Sequence, residues 1–330
     1  MNLATKLMAG AAVVTGLSLA PVLESAAQTW DMPTPYPQQN FHTQNIIEFA
    51  EEIEAATDGA LTINVHPAGS LYEHPEIKNA VRSRQVQIGE FLLSRLANED
   101  PVFEADSVPF LATDYEQAEK LWEASKPHVE EILERERLKV LFTVPWPPQG
   151  LYTDGPVESA DDIAGLSFRA YNTATEELAQ LAGMSPTQVE VPDIPQAFAT
   201  GRVDAMMTSP STGVNTQAWD FLTHYYHLQA WIPKNIVVVN QQVFDALDES
   251  VQTAVLDAAE QAQTRGWEKS REETVEQMDV LEENGVEVHR DPPEALASTF
   301  QEIGREMAEK WEAEGGEAVA DILARFREMN

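Results

Sequence analysis

The sequence predicts an α/β fold in two lobes, each a mainly parallel sheet flanked by helices, with one long helix spanning both. Three observations lead there. Strand-like and helix-like segments alternate, the order that gives parallel strands covered by crossover helices. One unit occurs twice: strand Leu61–Val65, short helix and strand Val86–Phe91, then strand Thr187–Val191, short helix and strand Val203–Met207. Finally, the helical run from Asp248 to Glu283 would extend about 50 Å, more than one lobe can use.

The elements follow in order. Trp30–Met32 reads as a first strand running into the turn Pro33-Thr34-Pro35-Tyr36-Pro37. Phe41, Ile46, Phe49, Ala50 and Ile53 share one face of a helix over 38–57, and Asp58-Gly59 ends it. Leu61–Val65 alternates like a strand, and a loop with Gly69 and Ser70 leads to a short helix near Pro75–Arg84. Asp114 caps an amphipathic helix over Tyr115–Arg137, and Leu138–Val144 is a buried strand that stops at Pro145-Trp146-Pro147-Pro148. That proline cluster marks the first lobe boundary. Beyond it come a capping-box helix start at Ser159–Asp162, strand Leu166–Arg169, helix Thr173–Leu181 and, after the repeated unit, strand Asn235–Asn240. Gly266 reads as a tolerated flaw in the long helix, Asn284-Gly285 closes it, and strand Val286–His289 and two acidic helices finish the chain.

The chain has 330 residues, 55 acidic and 21 basic side chains and no cysteine, giving a net charge of −34. Nucleic acid is excluded as a partner, because phosphate binding needs a basic face. Anionic membranes are excluded on the same ground, and the lack of cysteine removes disulfides, thiolate metal sites and thiol nucleophiles. The acids are spread along the chain, which fits a solvated surface suited to high salt better than a single cationic partner. Lys6, the apolar stretch Leu7–Ala20 and Ser25-Ala26-Ala27 read as a signal peptide over 1–27, cut before Gln28. A soluble exported protein follows.

Enzyme signatures are missing: there is no GxGxxG, P-loop, GxSxG or HExxH. His224 and His227 form an HxxH pair, but HYYH fits a packed strand better, so no metal is assigned. Arg169 is the sharpest candidate. It ends a strand, where α/β folds bind ligands, and its planar fork matches a carboxylate; a structural ion pair with one of the many acids is the competing reading. Trp30, Trp146, Tyr171 and Trp231 flank turns where rings could close a cleft. Glu90 ends a strand in an apolar setting, facing either solvent or the cleft, where it could pair with Arg169 or bind a ligand ammonium.

The segments GLSFRAYN, PTQVEV and QAFATGRVDAMMTSP, in that order, resemble the solute-binding proteins of tripartite ATP-independent periplasmic (TRAP) transporters, dicarboxylate type. HPAGSLYEHPEIKNAVRSRQVQIGE and VPFL resemble the family's first-lobe segments, and the resemblance covers essentially the whole mature chain. It implies a class II-like periplasmic binding protein that closes on a small solute, holds its carboxylate by Arg169 and passes it to membrane permease subunits, with no cofactor. It further implies that residues 28–148 and 236–275 form lobe I, that 149–235 and 276–330 form lobe II, and that Gln149, Asn172, Thr208 and Asn235 join the ligand site. This sequence departs from the family pattern at Met206, Met207 and Thr208, and Gln149 stands where members that take acidic sugars carry a second arginine. A small monocarboxylate is therefore the first expectation. An amine or amino alcohol held by Glu90 and aromatic rings is the second, and a secreted hydrolase or a sensor ectodomain ranks below both.

Overall fold

The computed structural model describes residues 27–329. The expected signal peptide, but for its last residue, lies outside the described residues. The first part of the chain forms β1 (Gln28–Pro33), α1 (Phe41–Ala56), β2 (Leu61–His66), α2 (Ile77–Arg82), β3 (Ile88–Leu92), α3 (Tyr115–Arg135) and β4 (Leu138–Pro145). The middle forms β5 (Gly150–Thr153), β6 (Ser167–Ala170), α4 (Thr173–Leu181), β7 (Ser185–Gln188), α5 (Ile194–Ala199), β8 (Ala205–Thr208), α6 (Pro210–Asn215) and β9 (His224–Tyr226). The last part forms β10 (Lys234–Asn240), α7 (Gln241–Asp245), α8 (Glu249–Glu283), β11 (Glu287–His289), α9 (Glu294–Glu314) and α10 (Gly316–Met329).

Local chemistry accounts for many of the boundaries. The Asn40 side chain accepts from His42 N at 2.9 Å and starts α1. Asp114 accepts from Gln117 N at 2.8 Å and starts α3, as its capping pattern predicts. Asp248 precedes the 35-residue α8, and Gly285, at φ 93°, takes the left-handed turn that ends it. The capping box at Ser159 forms, yet it opens only a 3₁₀ turn over Ala160–Asp162, because Gly165 at φ 84° reverses the chain before a helix can extend.

Two sheet systems result, and the repeat seen in the sequence is topological. The second lobe holds one sheet in the order β11-β9-β5-β8-β6-β7. In the first lobe β1 pairs with β2, and β3-β10-β4 form a second set. Asp31 N donates to Gln87 Oε1 at 2.9 Å, joining β1 to the start of β3. The first-lobe order is thus β2-β1-β3-β10-β4, which mirrors β7-β6-β8-β5-β9 in the second. The sheets are mainly parallel, as expected, with one antiparallel strand in each. In each, the strand that has just crossed from the other lobe (β10 or β5) inserts antiparallel to both neighbours. It enters from the interlobe side, so it must run against the strands that point toward that side.

The long helix performs the span its length predicts. Its first half buries Val255, Ala258, Ala259 and Ala262 in the core around Phe142 and Phe49, and its end buries Met278 and Leu281 against Tyr152 and Tyr225 of the second sheet. Gly266 turns out to be a packing requirement: a Cβ there would lie 2.5 and 2.8 Å from the Val144 methyl groups of β4. The C-terminal helix departs from the expected partition. Val319, Ile322, Leu323 and Phe326 of α10 pack with Leu121, Trp122, Val129 and Leu133 of α3, so 316–329 lies on the first lobe. The complementary apolar stripes decide this, and His128 Nε2 with Asp321 Oδ2, 2.7 Å apart, pins the pair. Trp122, Trp267 and Trp311 pack in the interior, as expected of tryptophans at helical spacing.

Candidate functional site

The chain passes between the sheets at 146–149, at 227–233 and within α8. The first two segments bond to each other: Trp146 N to Pro233 O at 2.8 Å, Gln149 N to Trp231 O at 3.0 Å and Ala230 N to Gln149 O at 3.0 Å. Beside this ribbon lies a small, partly open cavity. Tyr36, Leu92, Trp146, Val191 and Pro233 give it apolar walls, and Gln149, Tyr171, Thr208 and Thr212 supply polar groups. Its remaining lining residues are Arg169, His74 and Glu190.

Arg169 is 2% exposed. Its Nε donates to Val189 O at 2.9 Å, and its guanidinium sits 4.8 Å from the centroid of the Tyr171 ring. Among the described residues no carboxylate lies within ion-pair distance of it, and no acceptor takes its two terminal NH₂ groups. Burial lowers its pKa to about 10, opposed by the nearby Tyr171, Glu190 and Tyr36, so it stays charged at neutral pH. A buried cation with an unmatched fork is costly unless an anion completes it.

The ring scaffold is held by bonds behind the wall. Trp231 Nε1 donates to the Tyr171 hydroxyl at 3.1 Å, which donates to Gln149 Oε1 at 3.3 Å. Asn235 Oδ1 accepts from both the Tyr36 hydroxyl and Trp146 Nε1, each at 3.0 Å. Its amide donates to Glu90 Oε1 at 3.1 Å, and Thr34 donates to Glu90 Oε2 at 2.6 Å. Burial raises Glu90 to about 7 despite these bonds.

Five polar links join the lobes around the cavity. Arg95 Nη1 donates to Tyr171 O at 2.6 Å, and its other terminal nitrogen pairs with Glu190 Oε1 at 2.9 Å. His74 Nδ1 lies 3.2 Å from Glu190 Oε2, while its Nε2 accepts from Leu92 N at 3.1 Å. That acceptor role makes Nδ1–H the donor to Glu190 in a neutral ring, in line with burial pushing the ring's pKa down. Burial alone would raise Glu190; the His74 bond and the Arg95 and Arg169 charges outweigh it and hold the group down at about 2. Asn172 Nδ2 donates to Ser94 Oγ at 2.8 Å, and Asn40 Nδ2 donates to Asn215 Oδ1 at 2.9 Å. The arrangement is that of closed lobes.

The fold brings Arg169, Tyr171, Gln149, Trp146 and Thr208 to the cavity wall and puts Trp231 and Asn235 one layer behind. Asn172 belongs to the lobe contact. Trp30 is a correction: it lies in the interior with Ile46, Phe49 and Ile53, because β1 is covered by α1. Glu90 is another, since it faces Thr34 and Asn235 and neither pairs with Arg169 nor lines the cavity. Tyr36 and Glu190 escaped the sequence reading. Glu190 follows the end of a parallel strand, the same signal that singled out Arg169.

Two α/β lobes joined by several crossings, with a partly open cavity between them lined by rings and one unmatched cation, define a solute-binding protein that closes on its ligand. Residues 34–314 match the family model described as bacterial extracellular solute-binding protein, family 7. The chain belongs to this family and is a solute-binding protein of the TRAP transporter type. It is 45% identical to DctP7 of Bordetella pertussis, an extracytoplasmic solute receptor binding pyroglutamic acid, with a TM-score of 0.89 over 91% of this chain and 100% of that one. It is 39% identical to a marine metagenome TRAP solute-binding protein specific for pyroglutamate, with a TM-score of 0.89 over 92% and 99% of the two chains. The C4-dicarboxylate-binding periplasmic protein DctP of Rhodobacter capsulatus is 25% identical over 293 residues, covering 85% of this chain and 86% of that protein.

Proposed function

We propose that this protein captures a small cyclic monocarboxylate, with pyroglutamate as the leading candidate, outside the cytoplasm and presents it to a TRAP permease. The observation that carries the reading is Arg169, a buried guanidinium on the cavity wall whose terminal nitrogens have no acceptor among the described residues. One unmatched cation suits one carboxylate. The second arginine nearby, Arg95, is already engaged by Glu190 and Tyr171 O. A five-membered lactam fits the remaining demands: Trp146, Leu92, Val191 and Pro233 can cover its ring, and hydroxyl and amide groups of Thr208, Thr212 and Gln149 can meet its N–H and C=O. The pyroglutamate-binding relatives support the same ligand class.

Binding works by population shift. The carboxylate completes Arg169 only when both lobes surround it, so ligand favours the closed form. Moving an equilibrium from 1:99 to 99:1 takes about 5.5 kcal/mol of differential binding. A buried charge pair, where losing one partner costs about 2–5 kcal/mol, supplies much of that. The crossings at 146–149, 227–233 and within α8 are the proposed hinge and the limits of the lobes. The protein acts as a receptor without catalysis: His74, the histidine on the cavity wall, has both ring nitrogens engaged and neither available for proton transfer. Export through the 1–27 signal peptide completes the reading, and among the described residues no helix is long and apolar enough to cross a membrane.

A thermal-unfolding panel of small acids, their carboxamides and small amines tests this. At 100 times Kd a true ligand adds about 2.7 kcal/mol. Pyroglutamate should stabilise the protein and its carboxamide should not. Stabilisation by amines alone would reject the carboxylate reading.

A further inference from the structure

A second group of ligating side chains lies away from the cavity, at the edge of the second-lobe sheet. β9 and β11 pair in parallel, with Glu287 opposite His224 and His289 opposite Tyr226. Alternate residues of a strand share a face, so His224, Glu287 and His289 stand together, with one donor atom from each inside a 4.8 Å circle. The Glu287 carboxylate lies between the two rings, its Oε2 3.5 Å from His224 Nε2 and its Oε1 3.6 Å from His289 Nε2.

Two details prepare the imidazoles for a ligand. Thr223 Oγ1 lies 2.8 Å from His224 Nδ1, which engages that nitrogen and leaves Nε2 as the outward donor. The His289 ring is stacked on Tyr226, 4.3 Å between centroids and 3° between planes, which fixes its orientation. Its Nε2 is buried and has no hydrogen-bond partner among the described residues. A buried polar atom left in that state calls for a partner.

We propose that His224, Glu287 and His289 bind a divalent transition-metal ion, with zinc as the reference. Two imidazole nitrogens and one carboxylate oxygen suit zinc, nickel or copper, whereas calcium and magnesium prefer all-oxygen sites. Zinc–ligand distances of about 2.0–2.2 Å put tetrahedral donors roughly 3.3 Å apart, so the donors must close by about 1 Å or less each, and the two imidazoles, now 5.5 Å apart between centroids and 9° from parallel, must tilt toward a common point. Water completes the coordination, and a chain of net charge −34 raises the local cation concentration. The HxxH spacing pointed toward this strand but at the wrong second ligand. A three-residue offset turns His227 to the opposite face, where its Nδ1 meets the Tyr225 hydroxyl at 3.3 Å; the fold brings His289 in from β11 instead. β9 leads into the 227–233 crossing and β11 follows α8, so a bound ion ties together two of the three interlobe connections.

The test is calorimetric titration of the mature protein with zinc at pH 7.5 in a non-coordinating buffer, together with anomalous scattering from zinc-soaked wild-type crystals. One ion per chain is expected, with its anomalous peak between His224 and His289. His224→Gln and His289→Gln should each weaken binding by more than about ten-fold, because even outer-sphere changes at metal sites cost roughly 10- to 100-fold. Zinc uptake that the double variant leaves unchanged, or an anomalous peak only at surface carboxylates, overturns the proposal. The wild-type crystals decide the matter even if a variant folds poorly.

Discussion

Glu90→Gln isolates the proton linkage built into the wall behind the cavity. Burial raises the Glu90 carboxyl from 4.5 to about 7. Between those values the folded chain keeps a proton that the unfolded chain has lost, so this group's stability is full below pH 4.5 and disappears as pH rises through 7. The rise from 4.5 to about 7, at about 1.36 kcal/mol per pH unit, amounts to roughly 3 kcal/mol. Glutamine keeps the Asn235 bond through its carbonyl, while its amide must reverse the Thr34 contact, donating where the carboxylate accepted. Urea unfolding of both ligand-free proteins from pH 4.5 to 8.5 reads the linkage directly, and the repulsion among surface acids cancels in the difference. The variant should be near parity or weaker at pH 4.5 and gain about 3 kcal/mol on wild type by pH 8.5. Parallel stability curves would refute the buried, proton-linked Glu90.

Three further outcomes follow from the same geometry. Arg169→Met should change the stability of the ligand-free protein by less than about 2 kcal/mol, because relief of a buried charge with two unmatched terminal groups offsets the lost bond to Val189 O and the lost stack on Tyr171; thermal unfolding without solute checks this, and a larger loss would show that the guanidinium is structurally paired. Gly266→Ala should cost about 1–3 kcal/mol in urea unfolding, since its Cβ would press on Val144 and only small shifts can relieve it. Raising NaCl from 0.1 to 1 M shortens the screening length from about 10 to about 3 Å, so the melting temperature should rise with salt if the acidic surface is self-repelling.

The elements legible in the sequence were those fixed by local chemistry. Asp114, Asp248 and Asn284-Gly285 placed helix ends within a residue or two, and the length of α8 revealed its span of both lobes. Decisions made by distant packing were harder to read. Nothing near Gly266 in sequence announces Val144, and the stripe on α10 names no partner until α3 is seen beside it. The site divides in the same way. Arg169 stood out by its strand-end position and by the scarcity of basic residues, and Trp146, Gln149 and Tyr171 came with it. Glu90 was misplaced because an acid in an apolar strand faces a ligand or a buried amide with the same local signal, and the answer lay in Asn235, which arrives on β10. Tyr36 and His74 sit outside the long helices and strands, held by partners far off in sequence: Asn235 of β10 for Tyr36, and Glu190 of the second lobe for His74.

The central claim is that Arg169 takes the carboxylate of a small solute inside the closed lobes. Calorimetric titration of wild type and Arg169→Met with pyroglutamate tests it most directly. At about 2–5 kcal/mol for a buried charge partner, the variant should bind roughly 30- to several-thousand-fold more weakly. Equal dissociation constants for the two proteins would contradict the assignment.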